Sequence, residues 1–139
     1  YDEQGWYIWA IHAGRKWLEN SIILTTLNKF PWDTDQIQAF IGPCISWKNY
    51  ELGYEEIKNF QASFSEYIKQ PERWVWKYYL DIRSIAYKQL LYSWIEKDNI
   101  SISSECTYEN TEKYHSYRRH THNAEYPYGN NAFGIWFNN

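Results

Sequence analysis

Strands alternating with helices along this 139-residue chain predict an α/β sandwich. Short β-prone runs such as Trp6-Tyr7-Ile8-Trp9-Ala10-Ile11 end at glycines or other small residues, and stretches with helical spacing of apolar residues lie between them. The length suits one compact domain able to bury a core, with neither an internal repeat nor a low-complexity linker to divide it.

The elements follow in order. The run 6–11 is bulky throughout, which suits a strand buried on both faces, and His12-Ala13-Gly14 supplies the small residues for a sharp turn after it. A helix is expected from Lys16 to Lys29, with Leu18, Ile22, Thr25 and Thr26 at helical spacing and Pro31 as its stop. Gln36 to Ile41 reads as a short strand closed by Gly42-Pro43. Tyr54 to Phe60 and Phe64 to Lys69 read as short amphipathic helices, and Val75 to Leu80 as a strand. Asp81 is a good N-cap for a helix running to about Lys97, with Ile85, Leu90, Leu91, Trp94 and Ile95 near one face. Ile100 to Ser103 and Phe133 to Phe137 read as the last strands. The polar stretch between them, Tyr108 to Asn131, reads as loop.

Composition excludes several functions. A net charge of −3 argues against a broad nucleic-acid footprint. No apolar run approaches the 20 or so residues a membrane span needs. Cys44 and Cys106 do not make a disulfide framework in a chain of this length. They suit free thiols in a reducing compartment, so the cytoplasm is the expected location. The chain begins at Tyr1 without an initiator, and a strand-like run follows at once. Both features suggest a piece of a longer protein.

His12 is the sharpest candidate for chemistry. A histidine ending a strand just before a small-residue turn and a helix faces the crevice where open α/β sheets hold ligands, and a neutral imidazole there can bind zinc or act as a base. A core histidine bonded to a backbone carbonyl is the commoner role for such a residue taken alone. His115, His120 and His122 lack cysteine or acidic partners at ligand intervals and read as loop histidines. Gly42-Pro43-Cys44-Ile45 is either a tight turn offering backbone N–H groups to an anion or base, or an ordinary turn. Arg118 and Arg119 are either a bidentate site for phosphate or carboxylate or a surface basic pair. Cys106 lines the same crevice or is a buried structural thiol.

In this collinear order, Ala10-Ile11-His12-Ala13-Gly14, Phe40-Ile41-Gly42-Pro43-Cys44-Ile45, Tyr50-Glu51-Leu52-Gly53, Tyr79-Leu80-Asp81, Glu105-Cys106-Thr107-Tyr108, Ser116-Tyr117-Arg118-Arg119 and Gly134-Ile135-Trp136 resemble the YfiH, or laccase-domain, family over nearly the whole chain. The resemblance implies an α/β sandwich with a mixed sheet. It also implies a zinc ion, with copper as the alternative, held by two histidines and a cysteine. The activities it implies are phosphorolysis of adenosine, inosine, guanosine or methylthioadenosine, and deamination of adenosine. Purine nucleosides and phosphate are therefore the expected partners, with neither nucleic acid nor membrane.

His12 matches the last of the three ligands. The other two belong to upstream motifs, so residues 1–139 are expected to be the C-terminal portion of a single domain. Lys16, Gly42, Pro43, Arg118 and Arg119 are the expected substrate contacts. The chain departs from the family pattern at Arg15-Lys16-Trp17, where Trp-Arg/Lys-Gly is usual. It departs again after Arg119, where His120 replaces an aspartate and Tyr128-Gly129-Asn130 lacks the arginine of Thr-Gly-Arg. Two other readings compete: a drifted, non-catalytic family member, and a binding module that uses exposed aromatic side chains for sugars or nucleobases.

Overall fold

The computed structural model describes residues 7–30, 33–70, 76–124 and 129–136. It begins with an irregular segment, Tyr7 to Gly14, followed by helices α1 (Arg15–Glu19) and α2 (Ile22–Leu27). Then come β1 (Ala39–Ile41), β2 (Glu51–Leu52), α3 (Tyr54–Ile57), α4 (Gln61–Phe64), β3 (Ile68–Lys69), β4 (Tyr78–Leu80), α5 (Ile82–Tyr92), β5 (Ile100–Ile102) and α6 (Tyr117–Asn123).

Strand pairing is mixed, as expected for the fold class. β1 and β5 run parallel, with Ala39 beside Ile100 and Ile41 beside Ile102. The other sheet is antiparallel in the order β2-β4-β3, with Leu52 beside Tyr78 and Ile68 beside Leu80. Beyond the parallel pair, Cys44 and Cys106 form one further parallel bridge, in which the Thr107 N–H donates to the Cys44 carbonyl at 3.1 Å. The two chain segments therefore stay side by side past the carboxyl ends of β1 and β5.

The core is apolar, with Ala39, Ile41 and Ile100 of the parallel pair packed against it partly buried. Leu18, Ile23 and Leu27 come from the first two helices, Leu52 and Leu80 from the antiparallel sheet, and Ile57, Phe60 and Phe64 from the α3–α4 region. Ile85, Ala86 and Leu90 of α5, with Ile95 just beyond its end, complete it. Together with the buried Gln89 the three on α5 recur one and four residues apart, so they form one stripe along the helix. Gln89 Nε2 donates to the Leu18 carbonyl at 2.7 Å, which ties α5 to the end of α1.

Several elements differ from the sequence reading, each for a local reason. The run expected as a strand from Trp6 forms none over Tyr7–Ile11, and Trp6 lies outside the described residues. β-propensity needs a partner ladder. Among the described residues this run has none, and Trp9 instead stacks on Phe30 with ring centroids 4.6 Å apart. The helix expected over 16–29 is broken in two because Ser21 sits in the left-handed region at φ 52°. The strand expected over 36–41 keeps only its last three residues, with a 3₁₀ turn at Thr34–Gln36 before it. The second short helix expected over 64–69 is a 3₁₀ turn leading into β3.

The helix that Asp81 starts does begin there. The Asp81 carboxylate accepts from the Ser84 N–H at 3.1 Å and from the Ser84 hydroxyl at 2.8 Å. It ends at Tyr92, five residues early. Trp94 adopts φ 64°, its N–H donates to the Leu91 carbonyl, and the Ile95 N–H donates to the Leu90 carbonyl, the bond pattern of a Schellman cap. Burial of Ile95 holds this turn, even though the left-handed residue is an exposed tryptophan rather than a glycine. No strand forms over Phe133–Trp136, and Phe137 lies outside the described residues. The stretch expected to be loop contains α6 instead, capped by the Ser116 hydroxyl accepting from the Arg119 N–H at 3.3 Å.

Candidate functional site

A cleft of about 430 Å³ opens beyond the carboxyl ends of the parallel strands. Ile45 and Thr107, which follow the Cys44–Cys106 bridge, form part of its floor. This is where open α/β sheets gather ligands, because each strand hands its chain to a loop at that edge. Gly14 and Arg15 enter from the start of α1, Tyr50 and Glu56 from the segments flanking β2, and His115 to Arg118 from the start of α6. Gly129, Asn130 and Asn131 close the remaining side.

Two arginines dominate its charge. Arg15 Nη1 donates to the Glu56 carbonyl at 3.1 Å, and its Nη2 lies 3.3 Å from Glu56 Oε1. Glu56 is itself braced, with Oε2 accepting from the Gly53 N–H at 3.0 Å. Arg118 Nη1 donates to the Glu51 carbonyl at 2.5 Å, and its guanidinium lies 5.2 Å from the centroid of the Tyr50 ring. Burial raises the Tyr50 phenol above its ordinary pKa, while the charges of Arg15 and Arg118 oppose the rise. Tyr50 is therefore a neutral platform at physiological pH.

The loop that carries His115 is locked by polar contacts. The His115 N–H donates to Asn131 Oδ1 at 2.8 Å, and Asn131 Nδ2 returns a bond to the His115 carbonyl at 2.7 Å. A side chain at position 129 would overlap the His115 ring, which would have to shift to admit it. Arg119 points away from the solvent and is only 6% exposed. Its Nη1 donates to the carbonyls of Thr107 and Tyr108 at 3.0 and 2.6 Å, and its Nη2 to that of Tyr114 at 2.6 Å.

The expected site residues thus separate. Arg118 lines the cleft. His12 is exposed beside it, with its Nε2 over Gly14 so closely that a Cβ there would meet it at 2.9 Å. Lys16 is exposed on α1, Gly42 and Pro43 follow β1, and none of the three is among the cleft-lining residues. Arg119 serves as a brace for the loop between Thr107 and Tyr114. Arg15, Tyr50, Glu56, His115 and Asn131 line the cleft without having been singled out as site residues. The signals were present for two of them: Arg15 follows His-Ala-Gly directly, and Tyr50 opens the Tyr-Glu-Leu-Gly motif.

The two thiols are on the segments just before Ile45 and Thr107 and do not line the cleft themselves. Burial raises Cys44 above its usual pKa, with Arg83 Nε, which donates to its Sγ at 3.4 Å, pulling the other way. Burial pushes Cys106 up as well, but donors from Ser46 and from the Tyr108 and Glu109 backbone outweigh it, and the net shift is downward. Among the described residues no three His, Cys, Asp or Glu side chains converge on one point. His12 offers one of the four donors a tetrahedral zinc site takes, so the described residues alone do not fit the ion.

Comparison with known proteins agrees with this architecture. The profile of the multi-copper polyphenol oxidoreductase laccase family matches residues 1–138, and the chain belongs to that family. It is 30% identical over 114 residues to the purine nucleoside phosphorylase YfiH of Shigella flexneri, a match covering 79% of this chain and 44% of that protein. A purine nucleoside phosphorylase of Bacteroides thetaiotaomicron is 28% identical over 127 residues, covering 86% of this chain and 46% of the relative. The crystal structure of the Bacillus licheniformis hypothetical protein YfiH superimposes with a TM-score of 0.72 at 22% identity, over 78% of this chain and 43% of that one. The chain spans less than half the length of the curated relatives it matches.

Proposed function

We propose that this chain contributes the cleft of an enzyme acting on purine nucleosides, with phosphorolysis of adenosine, inosine, guanosine or methylthioadenosine and deamination of adenosine as its reactions. The observation that carries this reading is the cleft itself, at the carboxyl ends of a parallel strand pair and lined by Tyr50 and by the guanidinium-bearing Arg15 and Arg118. The names of the relatives support the same substrate class. In phosphorolysis an incoming phosphate oxygen forms a bond to the anomeric carbon as the bond to the base nitrogen breaks, and the base leaves with that electron pair. Such a step needs the anion held, the base stacked and water kept out. Arg118 is the substrate contact with the best support, because it alone of the five expected contacts lines the cleft.

His12 serves in this reading as one ligand of a zinc ion, with copper as the alternative, in a site completed by residues outside 1–139. Residues 1–139 would themselves be the C-terminal portion of a single domain. No described helix is long and apolar enough to cross a membrane. The two free thiols accord with the cytoplasm as the working location.

The test is to incubate the protein, extended to include the upstream residues that would complete the metal site, with each nucleoside, with and without inorganic phosphate, while following release of base and ammonia and measuring bound metal. Base release that depends on phosphate is the expected result. His12→Ala is expected to lower bound metal and base release together. Neither base nor ammonia from any purine nucleoside, with metal supplied, would overturn the reading. A binding module is the second reading, favoured by exposed tryptophans such as Trp76 and Trp94, 86% and 83% exposed. It predicts quenching of tryptophan fluorescence by nucleosides without turnover.

A further inference from the structure

We propose that Cys44 and Cys106 are an oxidisable thiol pair that closes to a reversible disulfide when a peroxide reaches it, with Cys106 as the attacking thiol and Cys44 as the resolving one. The proposal goes beyond the nucleoside reading and does not depend on it.

Three observations carry it. First, the fold brings the two cysteines of the sequence together from distant parts of the chain. They stand opposite each other at a single parallel bridge, where the Thr107 N–H donates to the Cys44 carbonyl at 3.1 Å. Neighbouring strands lie about 4.7–4.9 Å apart and a disulfide spans α-carbons about 4.4–6.8 Å apart, so paired positions are within its reach. Paired residues also project from the same face of a sheet.

Second, the bridge has room to adjust. It stands apart from the β1–β5 pairing, and Pro43, which has no N–H to donate, precedes it. A bridge outside a continuous ladder lets its two segments draw closer without breaking a row of hydrogen bonds.

Third, the two sulphurs are furnished for different roles. Cys106 Sγ accepts from the Ser46 N–H at 3.2 Å and from Asn49 Nδ2 at 3.7 Å, and backbone donors of Tyr108 and Glu109 act on it as well. Donors gathered on one sulphur favour its thiolate, which is the form that attacks. The nearby Glu109 carboxylate takes its own bonds from Asn49 Nδ2 at 2.6 Å and the Ser46 hydroxyl at 3.3 Å. Cys44 keeps its proton more firmly, since burial outweighs its bond from Arg83 Nε at 3.4 Å. Arg83 is in turn fixed by the Ser104 and Glu105 carbonyls, at 3.2 and 2.6 Å. A sulphur inclined to ionise thus faces one that stays a thiol.

The chemistry takes two steps. The Cys106 thiolate attacks one peroxide oxygen, the O–O bond breaks, and the leaving hydroxide takes up the proton Cys106 had released. The product is a sulfenic acid. The Cys44 sulphur then attacks the sulfenic sulphur. An S–S bond forms as the S–O bond breaks, and the departing hydroxide carries off the Cys44 proton as water. Two thiols lose two electrons and the peroxide becomes two waters. Cys106 is 7% exposed and Cys44 half-buried, which limits the oxidant to one as small as hydrogen peroxide. A dithiol reverses the bond by exchange.

The experiment exposes the reduced protein to a small excess of hydrogen peroxide, blocks remaining thiols with N-ethylmaleimide and maps the digest by mass spectrometry. The expected product is a peptide joining Cys44 to Cys106 within one chain, absent after dithiothreitol. Cys44→Ser removes the resolving thiol and should leave a sulfenic acid on Cys106, trapped by dimedone. Cys106→Ser should slow oxidation of Cys44 about tenfold or more, because that thiol lacks the stabilising donors. In concentrated urea the difference between the two cysteines should vanish, since the fold supplies those donors. The cross-link in the unaltered protein needs no variant, so it carries the test if a serine variant does not fold.

Thiols left intact by peroxide, or links formed only between separate chains, would overturn the proposal. Equal reactivity of the two cysteines in the folded protein would overturn it as well.

Discussion

The core and the cleft wall of this protein are held together by opposite means. Around α5, stability comes from apolar side chains removed from water: Leu18, Ile57, Phe60, Leu80, Ile85 and Ile95 are each no more than 2% exposed. Among the described residues between Glu105 and Asn131 the chain is held largely by polar contacts. Arg119 gathers three carbonyls, Glu105 accepts from Lys113 and Tyr114, and Asn131 pairs with the His115 backbone. Apolar burial is non-directional and tolerates changes of side-chain shape, whereas hydrogen bonds fix atoms at set distances and angles. A wall that is to hold a ligand needs the second kind of order.

That contrast can be broken from either side. Phe60→Ala removes a fully buried ring next to Phe64 and leaves a cavity; the expected loss is about 3–5 kcal/mol of global stability. Urea denaturation followed by circular dichroism measures it, and a loss under about 1 kcal/mol would mean that the core is looser than its burial indicates. Arg119→Met keeps an apolar stem but strips the donors from Thr107, Tyr108 and Tyr114. The expected cost is about 1–3 kcal/mol, since three part-buried carbonyls lose a charged donor. The effect should also be local: amide exchange should quicken over residues 107–116 and leave α5 protected. Equal quickening in both regions would show that the wall and the core unfold as one unit.

The smallest effect concerns pH. The bond from Lys113, with that from Tyr114, holds the Glu105 carboxyl below its usual range. A depressed carboxylate stabilises the folded state above the ordinary carboxylate pKa, and the contribution fades as pH falls through the folded value. Amide protection at Tyr114 should therefore be constant near neutrality and fall on acidification. Glu105→Gln should remove that acid step. Lys113 and Glu105 are both partly exposed, so the change should stay small beside the other two.

How much of this was legible in the sequence depends on the range of the forces involved. The start of α5 was legible because an aspartate cap acts on a backbone N–H three residues away. Its end was not, because Trp94 gives no stop signal and burial of Ile95 against distant residues forces the turn. α6 was missed because polar, tyrosine- and histidine-rich sequence looks like loop, and what orders it is the Ser116 cap and the buried Arg119. The motif Ser116-Tyr117-Arg118-Arg119 marked the right place in the chain but could not assign a role to each arginine.

The sequence by itself determined the fold class, the family, the mixed set of short strands and helices, the position of the α5 cap and the neighbourhood of the cleft, because these rest on local capping, periodicity and motif order. Only the tertiary structure decided that Arg118 faces the cleft and Arg119 the interior, and that Arg15 rather than Lys16 lines the cleft. It also decided that Tyr7–Ile11 forms no strand among the described residues. Each of these depends on a partner distant in the chain: Glu51 for Arg118, Thr107 for Arg119, Glu56 for Arg15 and Phe30 for Trp9. Local sequence sets what a residue can do, and long-range packing chooses which neighbour it does it with.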